Sequence, residues 1–248
     1  MDLVSVIIPT YNRFKYLLNA IKSVKDQTYK NIEIIIINDC STEQEYYNFD
    51  FNKEFGDNIK IIHKDMHSKV KYGKICGGGD SRNIGMKLSN GKYIAFLDDD
   101  DYFLPTKIEK QLNILKSSDC KICCTEAIAS NGPYNPINNN KNYNYNGIFW
   151  NKLINIYTKK KQIHILQNMY KDNLNIWTHN YIKIHNCTIG GSSLIMEKSL
   201  IDKAGYFPIM GKGEDREYFK KITLYSNIIY IREPLTYIDL GHGSGRNY

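Results

Sequence analysis

Four carboxylates stand in a row at Asp98-Asp99-Asp100-Asp101, directly after the apolar run Tyr93-Ile94-Ala95-Phe96-Leu97. Two unit charges about 4 Å apart repel by roughly 4 kcal/mol at an effective dielectric near 20, so four adjacent Asp need a cation, strong hydrogen bonding or full solvation. In an extended chain alternate side chains share a face, which would bring Asp98 and Asp100 together and turn Asp99 and Asp101 elsewhere. Hard oxygen donors of this kind suit Mg²⁺ or Mn²⁺, which take one or two carboxylates and complete their shell with water and substrate phosphate. A solvated acidic loop is the plain alternative. Other acids stand at Asp39, after the apolar stretch Ile32 to Ile37, and at Glu214-Asp215, after Gly213. Acids in a first helical turn gain a few tenths to about 1 kcal/mol from the helix dipole, so the last pair has a structural explanation too.

The elements that must position these acids alternate between two periodicities. Leu3 to Pro9 and Ile32 to Ile37 are near-continuous apolar runs, the pattern of strands covered on both faces, and Ile59 to His63 and the apolar Tyr93 to Leu97 read as further strands. Between them, Phe14, Leu17, Leu18, Ile21 and Val24 fall at helical spacing behind Asn12 as a cap. Thr42 to Phe51 reads as a weaker helix. Lys64 to Gly79 reads as a loop ending in Gly77-Gly78-Gly79, either a bare turn or a ligand-contacting one, and Asp80 as the cap of a helix to Leu88. Such alternation predicts an α/β fold, a mostly parallel sheet flanked by helices, whose ligands lie at the carboxyl ends of strands. The Rossmann glycine fingerprint fails because Arg82 stands where its third Gly belongs, and no Walker lysine-serine pair is present.

Further along, Pro105 opens a helix from Thr106 to Leu115 and Cys120 to Ile128 reads as a strand. Ser130 to Asn146 is a loop rich in Asn, Gly and Pro, expected to close over a ligand. Phe149 to His185 carries little signal, and Trp150, Trp177, His164, His179 and His185 read as packing or surface residues. Cys187 to Met196 reads as a strand, Glu197 to Ala204 as a short helix closed by Gly205, and a helix carrying Tyr218, Phe219, Ile222 and Leu224 follows Gly213-Glu214-Asp215. Asn227 to Ile231 and Pro234 to Leu240 read as two short strands, a small antiparallel C-terminal portion.

The 248 residues suit a single domain, read as two parts, 1–128 and 129–248. A net charge of +7 favours acidic partners without selecting one, and no nucleic-acid motif appears. The sequence has no transmembrane run and no basic leader before the first strand, which implies a cytoplasmic chain, with peripheral attachment to a membrane left open. Cys40, Cys76, Cys120, Cys123, Cys124 and Cys187 are expected as reduced thiols, since Cys120 and Cys123 have zinc-pair spacing but no second pair.

VSVIIPTYNR, IEIIIINDCST, GGGDSRNIGMKLSNGKYIAFLDDDDY and GKGEDREYF, in this order and spacing, resemble the inverting nucleotide-sugar glycosyltransferases of family two, with the GT-A, Rossmann-like fold. The likeness is specific over residues 3–108, moderate over 187–225 and absent between about 130 and 186. It implies that Pro9, Thr10, Tyr11 and Asn12 lie beside the base and ribose of the donor and that Asp39 accepts from the base, usually uracil. It puts the DxD motif on Asp98, Asp99 and Asp100, with Asp98 towards ribose or metal and Asp100 as ligand of Mn²⁺ or Mg²⁺. By the same likeness Arg82 and Asn83 lie along the donor side. Gly190, Gly191, Ser192 and Glu214 belong to the acceptor and sugar region, Asp215 is the catalytic base, and His242 falls where some relatives add a metal ligand.

The implied chemistry is metal-dependent, inverting transfer of a sugar from a UDP-sugar to a hydroxyl of a glycan, protein or lipid-linked acceptor. A base takes the hydroxyl proton as the oxygen attacks the anomeric carbon opposite the leaving diphosphate. A catalytically inactive nucleotide-sugar-binding protein is the alternative. Sugar and acceptor choice are expected to lie in residues 130–186.

Overall fold

The computed structural model describes residues 1–73, 78–134, 148–164, 176–185, 190–211 and 213–242. Nine strands form one sheet: β1 (Val4–Thr10), β2 (Ile32–Asn38), β3 (Ile59–His63), β4 (Tyr93–Phe96), β5 (Tyr102–Phe103), β6 (Ile122–Ser130), β7 (Ile176–Trp177), β8 (Leu194–Glu197) and β9 (Ile228–Asp239). Their order is β3-β2-β1-β4-β8-β6-β9-β5, with β7 added along β9. The first four are mutually parallel, β8 runs antiparallel between β4 and β6, and β9 is parallel to β6. The mostly parallel α/β sheet read from the apolar runs is therefore present. The C-terminal portion is mixed, not purely antiparallel.

Helices α1 (Phe14–Lys25), α2 (Glu45–Asn48), α3 (Phe51–Phe55), α4 (Ser68–Tyr72), α5 (Gly79–Leu88), α6 (Lys107–Lys116), α7 (Ile148–Lys159), α8 (His179–His185), α9 (Leu200–Ala204) and α10 (Glu214–Ile222) connect the strands. Because side chains alternate along a strand, the two faces of the sheet feed separate cores. Val4, Val6 and Ile8 of β1 pack with Leu17, Ile21 and Val24 of α1 and with Leu112 of α6. Ile7, Ile94 and Phe96 pack on the other face with Met86 of α5 and with Tyr218 and Phe219 of α10. Burying one such aliphatic or aromatic side chain contributes about 1.5–3 kcal/mol. Helix α5 lies so close to β1 that a Cβ on Gly85 would stand 2.4 Å from Cγ2 of Ile7. That contact sets the distance of Arg82 from the sheet.

Several local expectations are corrected. Asn12 does not cap α1: it sits at φ 49°, outside helical space, Arg13 takes the cap position, and Asn12 Oδ1 accepts from the Thr42 amide at 2.7 Å. Asp80 lies in the first turn of α5, not at its cap, because the helix already begins at Gly79. The stretch 42–51 breaks into two short helices, the second capped by Asp50, whose side chain accepts from the Lys53 amide. The polar loop after β3 contains α4.

Strand β8 begins only at Leu194, since Gly191–Ser193 form a 3₁₀ turn, and α9 begins at Leu200 rather than Glu197, closed by Gly205 at φ 69°. Helix α10 ends at Ile222, which leaves Leu224 exposed. The two strands expected between 227 and 240 are one, β9, with register shifts opposite Thr125, Glu126 and Ala127 that accommodate Pro234. Trp177 is buried and stacked on Tyr230, His179 bonds Thr223, and His164 is exposed, as packing and surface residues should be. Cys40, Cys120, Cys123 and Cys124 are free thiols. Among the described residues no helix is long and apolar enough to cross a membrane.

Candidate active site

The Asp run does not continue β4 as an extended chain. It folds into a turn closed by the Asp101 amide donating to the Asp98 carbonyl at 3.0 Å, so the alternation of Asp98 with Asp100 against Asp99 with Asp101 is replaced by another pairing. Ser192, on the 3₁₀ turn before β8, ties the ends of this turn: its Oγ accepts from the Asp98 amide at 3.0 Å and donates to Asp101 Oδ2 at 2.6 Å. Arg13 Nη1 reaches Asp99 Oδ1 at 3.2 Å and Asp100 Oδ2 at 2.6 Å. Asp98 turns the other way, to Arg82 Nη2 at 2.6 Å, and Arg82 Nη1 meets Glu214 Oε1 at 3.3 Å. Two arginines and a serine thus hold the four carboxylates that repel one another in sequence.

Burial dominates the protonation of Asp99, Asp101 and Glu214. It pushes Asp99 up to about 7, reinforced by the Asp100 charge and opposed by Arg13. Asp101 is raised well above the carboxylate range by burial and by Asp98 and Asp100, despite the Ser192 hydrogen bond. Glu214 is raised by burial, with Arg82 pulling the other way. Its neighbour Asp215 is half-buried, accepts from the Arg216 amide at 2.7 Å, and has no ion pair among the described residues.

On the far side of β1, Asp39 follows β2 and lies at the same carboxyl edge of the sheet as the Asp turn. Its Oδ1 receives Lys64 Nζ at 2.6 Å and both the amide and hydroxyl of Ser68 at 3.0 Å. Lys64 also lies 2.6 Å from Asp80 Oδ2. Burial pushes Asp80 up, but Lys64, with Tyr72 and Lys71, outweighs it and holds the carboxyl below its ordinary value. Tyr11 carries the His67 ring at 4.2 Å between centroids. Thr10 Oγ1 pairs with the Tyr46 hydroxyl at 2.6 Å, and Pro9 stays within β1 opposite Ile37.

Asn83 spends both ends of its amide on the Phe207 backbone, at 3.0 and 2.8 Å, and so anchors the segment before α10. A Cβ on Gly191 would meet nothing within 4 Å among the described residues, which leaves that turn open beside Ser192, while Gly190 precedes it. The His242 side chain, Gly77 and most of the expected lid, residues 135–147, lie outside the described residues. Arg13, Lys64 and His67 were missed as site residues. Their signal was faint: an Arg directly after Thr10-Tyr11-Asn12, and Lys and His shortly past the end of the edge strand β3.

Among the described residues no three His, Cys, Asp or Glu side chains converge as a protein-only metal site would require. A divalent cation held by one or two carboxylates and completed by phosphate oxygens needs no such cluster, and Asp98, with its side chain 37% exposed, offers a hard oxygen donor on this turn, while Asp100, two positions on, is held by Arg13. A cavity of about 650 Å³ lined by Lys87, Lys92, Lys198 and Tyr206 lies at the amino end of β4 and shares none of these residues.

The model of glycosyl transferase family 2 matches residues 5–171, which span all four strands of the parallel half and the Asp turn. The chain belongs to glycosyl transferase family 2. An uncharacterized glycosyltransferase of Rickettsia bellii (strain RML369-C) is 42% identical over 116 residues, 47% of this chain and 15% of that protein. WfaP of Escherichia coli, a UDP-Glc:alpha-D-GlcNAc-diphosphoundecaprenol beta-1,3-glucosyltransferase, is 38% identical over 120 residues, 47% of this chain and 43% of that protein. The matches span less than half the length of these curated relatives. The fold is that of S. aureus TarS: the structure of its residues 1–349 with UDP aligns at a TM-score of 0.68 and 20% identity over 96% of this chain and 60% of that one. The same TarS fragment with UDP-GlcNAc aligns at 0.66 and 20% identity over 98% of this chain and 60% of that one. The expected GT-A architecture is met.

Proposed function

We propose that this family 2 chain is an inverting, metal-dependent glycosyltransferase that moves a sugar from a UDP-sugar to a hydroxyl acceptor, its GT-A domain divided into a donor part (1–128) and an acceptor part (129–248). The observation that carries the reading is the link Asp98–Arg82–Glu214, which joins the acidic turn to the first turn of the helix bearing Asp215. Support comes from WfaP, whose name specifies a UDP-glucose donor, and from the TarS structures with UDP and UDP-GlcNAc.

In this reading Pro9, Thr10, Tyr11 and Asn12 border the base and ribose, and Asp39 accepts the ring N–H of uracil. Asp98 and Asp100 hold Mn²⁺ or Mg²⁺, with Asp99 behind them against Arg13. The charge developing on the departing diphosphate is stabilised by several kcal/mol when such a cation is bound. Arg82 adds a fixed positive group beside Asp98. Glu214 is held by Arg82, whereas half-buried Asp215, one position on, has its carboxylate available to take the acceptor proton as the hydroxyl attacks the anomeric carbon. Asn83 and the turn Gly190, Gly191, Ser192 shape the wall between donor and acceptor, and His242 is a further candidate ligand for the cation.

Release of UDP from UDP-glucose, UDP-galactose and UDP-N-acetylhexosamines, measured with and without glycan, peptide and lipid-diphosphate-sugar acceptors, tests the reading. Acceptor-dependent release with Mn²⁺ or Mg²⁺ supports transfer. Tight UDP binding with no release from any pair would reduce the chain to a nucleotide-sugar-binding protein.

A further inference from the structure

His67, beside Asp39, carries a buried ring nitrogen without a hydrogen-bond partner among the described residues. Its Nδ1 accepts from the Lys69 amide at 3.1 Å, so in the neutral ring the proton sits on Nε2. Burial holds the ring below its ordinary pKa, against the Asp39 charge, which keeps it neutral near pH 7. That Nε2–H is buried and has no hydrogen-bond partner among the described residues. It lies 3.7 Å from Asp39 Oδ2, beyond hydrogen-bond reach, while Lys64 and Ser68 engage the other oxygen, Oδ1. An orphaned buried donor is costly, so an arrangement that holds one beside a carboxylate oxygen calls for a ligand.

An acceptor (Asp39 Oδ2) and a donor (His67 Nε2–H) side by side complement a ligand edge that presents a donor next to an acceptor. The ring N–H and the 4-carbonyl of uracil are such an edge; cytosine, with a bare ring nitrogen and an amino group, reverses both. Sheet order supplies the direction. A nucleoside diphosphate with its phosphates at the Asp turn after β4 and its base at Asp39 after β2 crosses β1, and its edge farthest from the ribose points on towards β3. His67 follows β3 and is braced there by the Tyr11 ring. We propose that His67 is a specificity residue, donating from Nε2 to the 4-carbonyl of uracil while Asp39 accepts the neighbouring ring N–H. The inference rests on the UDP-sugar reading above and deepens it.

Isothermal titration with UDP, CDP and 4-thio-UDP, on the parent and on His67→Phe and His67→Gln, tests it. Phe keeps a ring against Tyr11 but removes the donor; Gln restores an N–H donor without the ring. The parent should prefer UDP to CDP by about tenfold or more and bind 4-thio-UDP severalfold more weakly than UDP, because sulfur accepts poorly. In His67→Phe the UDP preference should shrink about tenfold and the 4-thio penalty should vanish, with part of the preference recovered in His67→Gln. Loss of affinity for all three nucleotides in equal measure would assign His67 a structural role and overturn the inference, as would a full UDP preference in His67→Phe. The 4-thio comparison needs no variant: a parent that prefers UDP to CDP yet binds 4-thio-UDP as well as UDP overturns the inference alone. A parent with no preference for UDP overturns the uridine reading and the inference together.

Discussion

Arg82 and Glu214, 132 positions apart in sequence, meet at 3.3 Å in the interior, and the same guanidinium holds Asp98 at 2.6 Å. The start of α10 is thereby fixed relative to the acidic turn by a charge pair, and a one-turn shift of either helix would break it. Because Arg82 and Glu214 are both nearly buried, removing Arg82 takes from Glu214 its ion-pair partner among the described residues.

Arg82→Met should therefore destabilise the fold by about 3–5 kcal/mol, read from denaturant midpoints. Adding Glu214→Gln in that background should recover part of the loss, since it removes the orphaned charge. Strict additivity of the two substitutions would show that the pair is not coupled.

Asp215→Asn should lower transfer roughly 10²- to 10⁴-fold while leaving UDP affinity unchanged, because the proton moves only on the way to the transition state. Glu214→Gln should be less damaging to turnover. Single-turnover rates and UDP titrations on both variants check this, and an Asp215→Asn enzyme that kept more than about a tenth of the parental rate would move the base to Glu214.

Asp100→Asn and EDTA should each abolish transfer, with activity after EDTA restored by Mn²⁺ or Mg²⁺. Asp101→Asn should be milder, as Asp101 faces Ser192 inside the turn. Undiminished transfer in EDTA would remove the cation from the reaction.

Lys107 offers a pH test independent of the site. Its amine is fully buried, donates to Gln111 Oε1 at 2.8 Å, and is lowered by burial to about 7 from an ordinary 10.5. Between those values the folded lysine is neutral while the unfolded one is protonated, so the unfolded chain binds more protons and stability rises with pH. The rise has a ceiling of about 1.4 kcal/mol per pH unit. Urea midpoints of the parent should climb from pH 7 towards 10, and this component should be missing in Lys107→Met; identical slopes would contradict it.

The sequence alone determined the parallel half of the sheet. Runs such as Ile32 to Ile37 can be buried only on both faces, and the helical spacing of Leu17, Ile21 and Val24 demands a helix laid against them. It also determined that Asp39 and the Asp run stand at strand ends, because strand ends are local features. Tertiary structure decided the rest. Four Asp in a row cannot announce whether they extend or turn. Their turn exists because Ser192, Arg13 and Arg82 arrive from three other elements. Likewise Glu214 and Asp215 are equivalent acids in sequence, and only the packing of α10 makes Glu214 the partner of Arg82 and leaves Asp215 half-exposed. The physical reason is the same in each case: apolar periodicity is written along the chain, whereas the solvation and pairing of a charge depend on groups a hundred residues away, which only the closed fold brings within 3 Å or so.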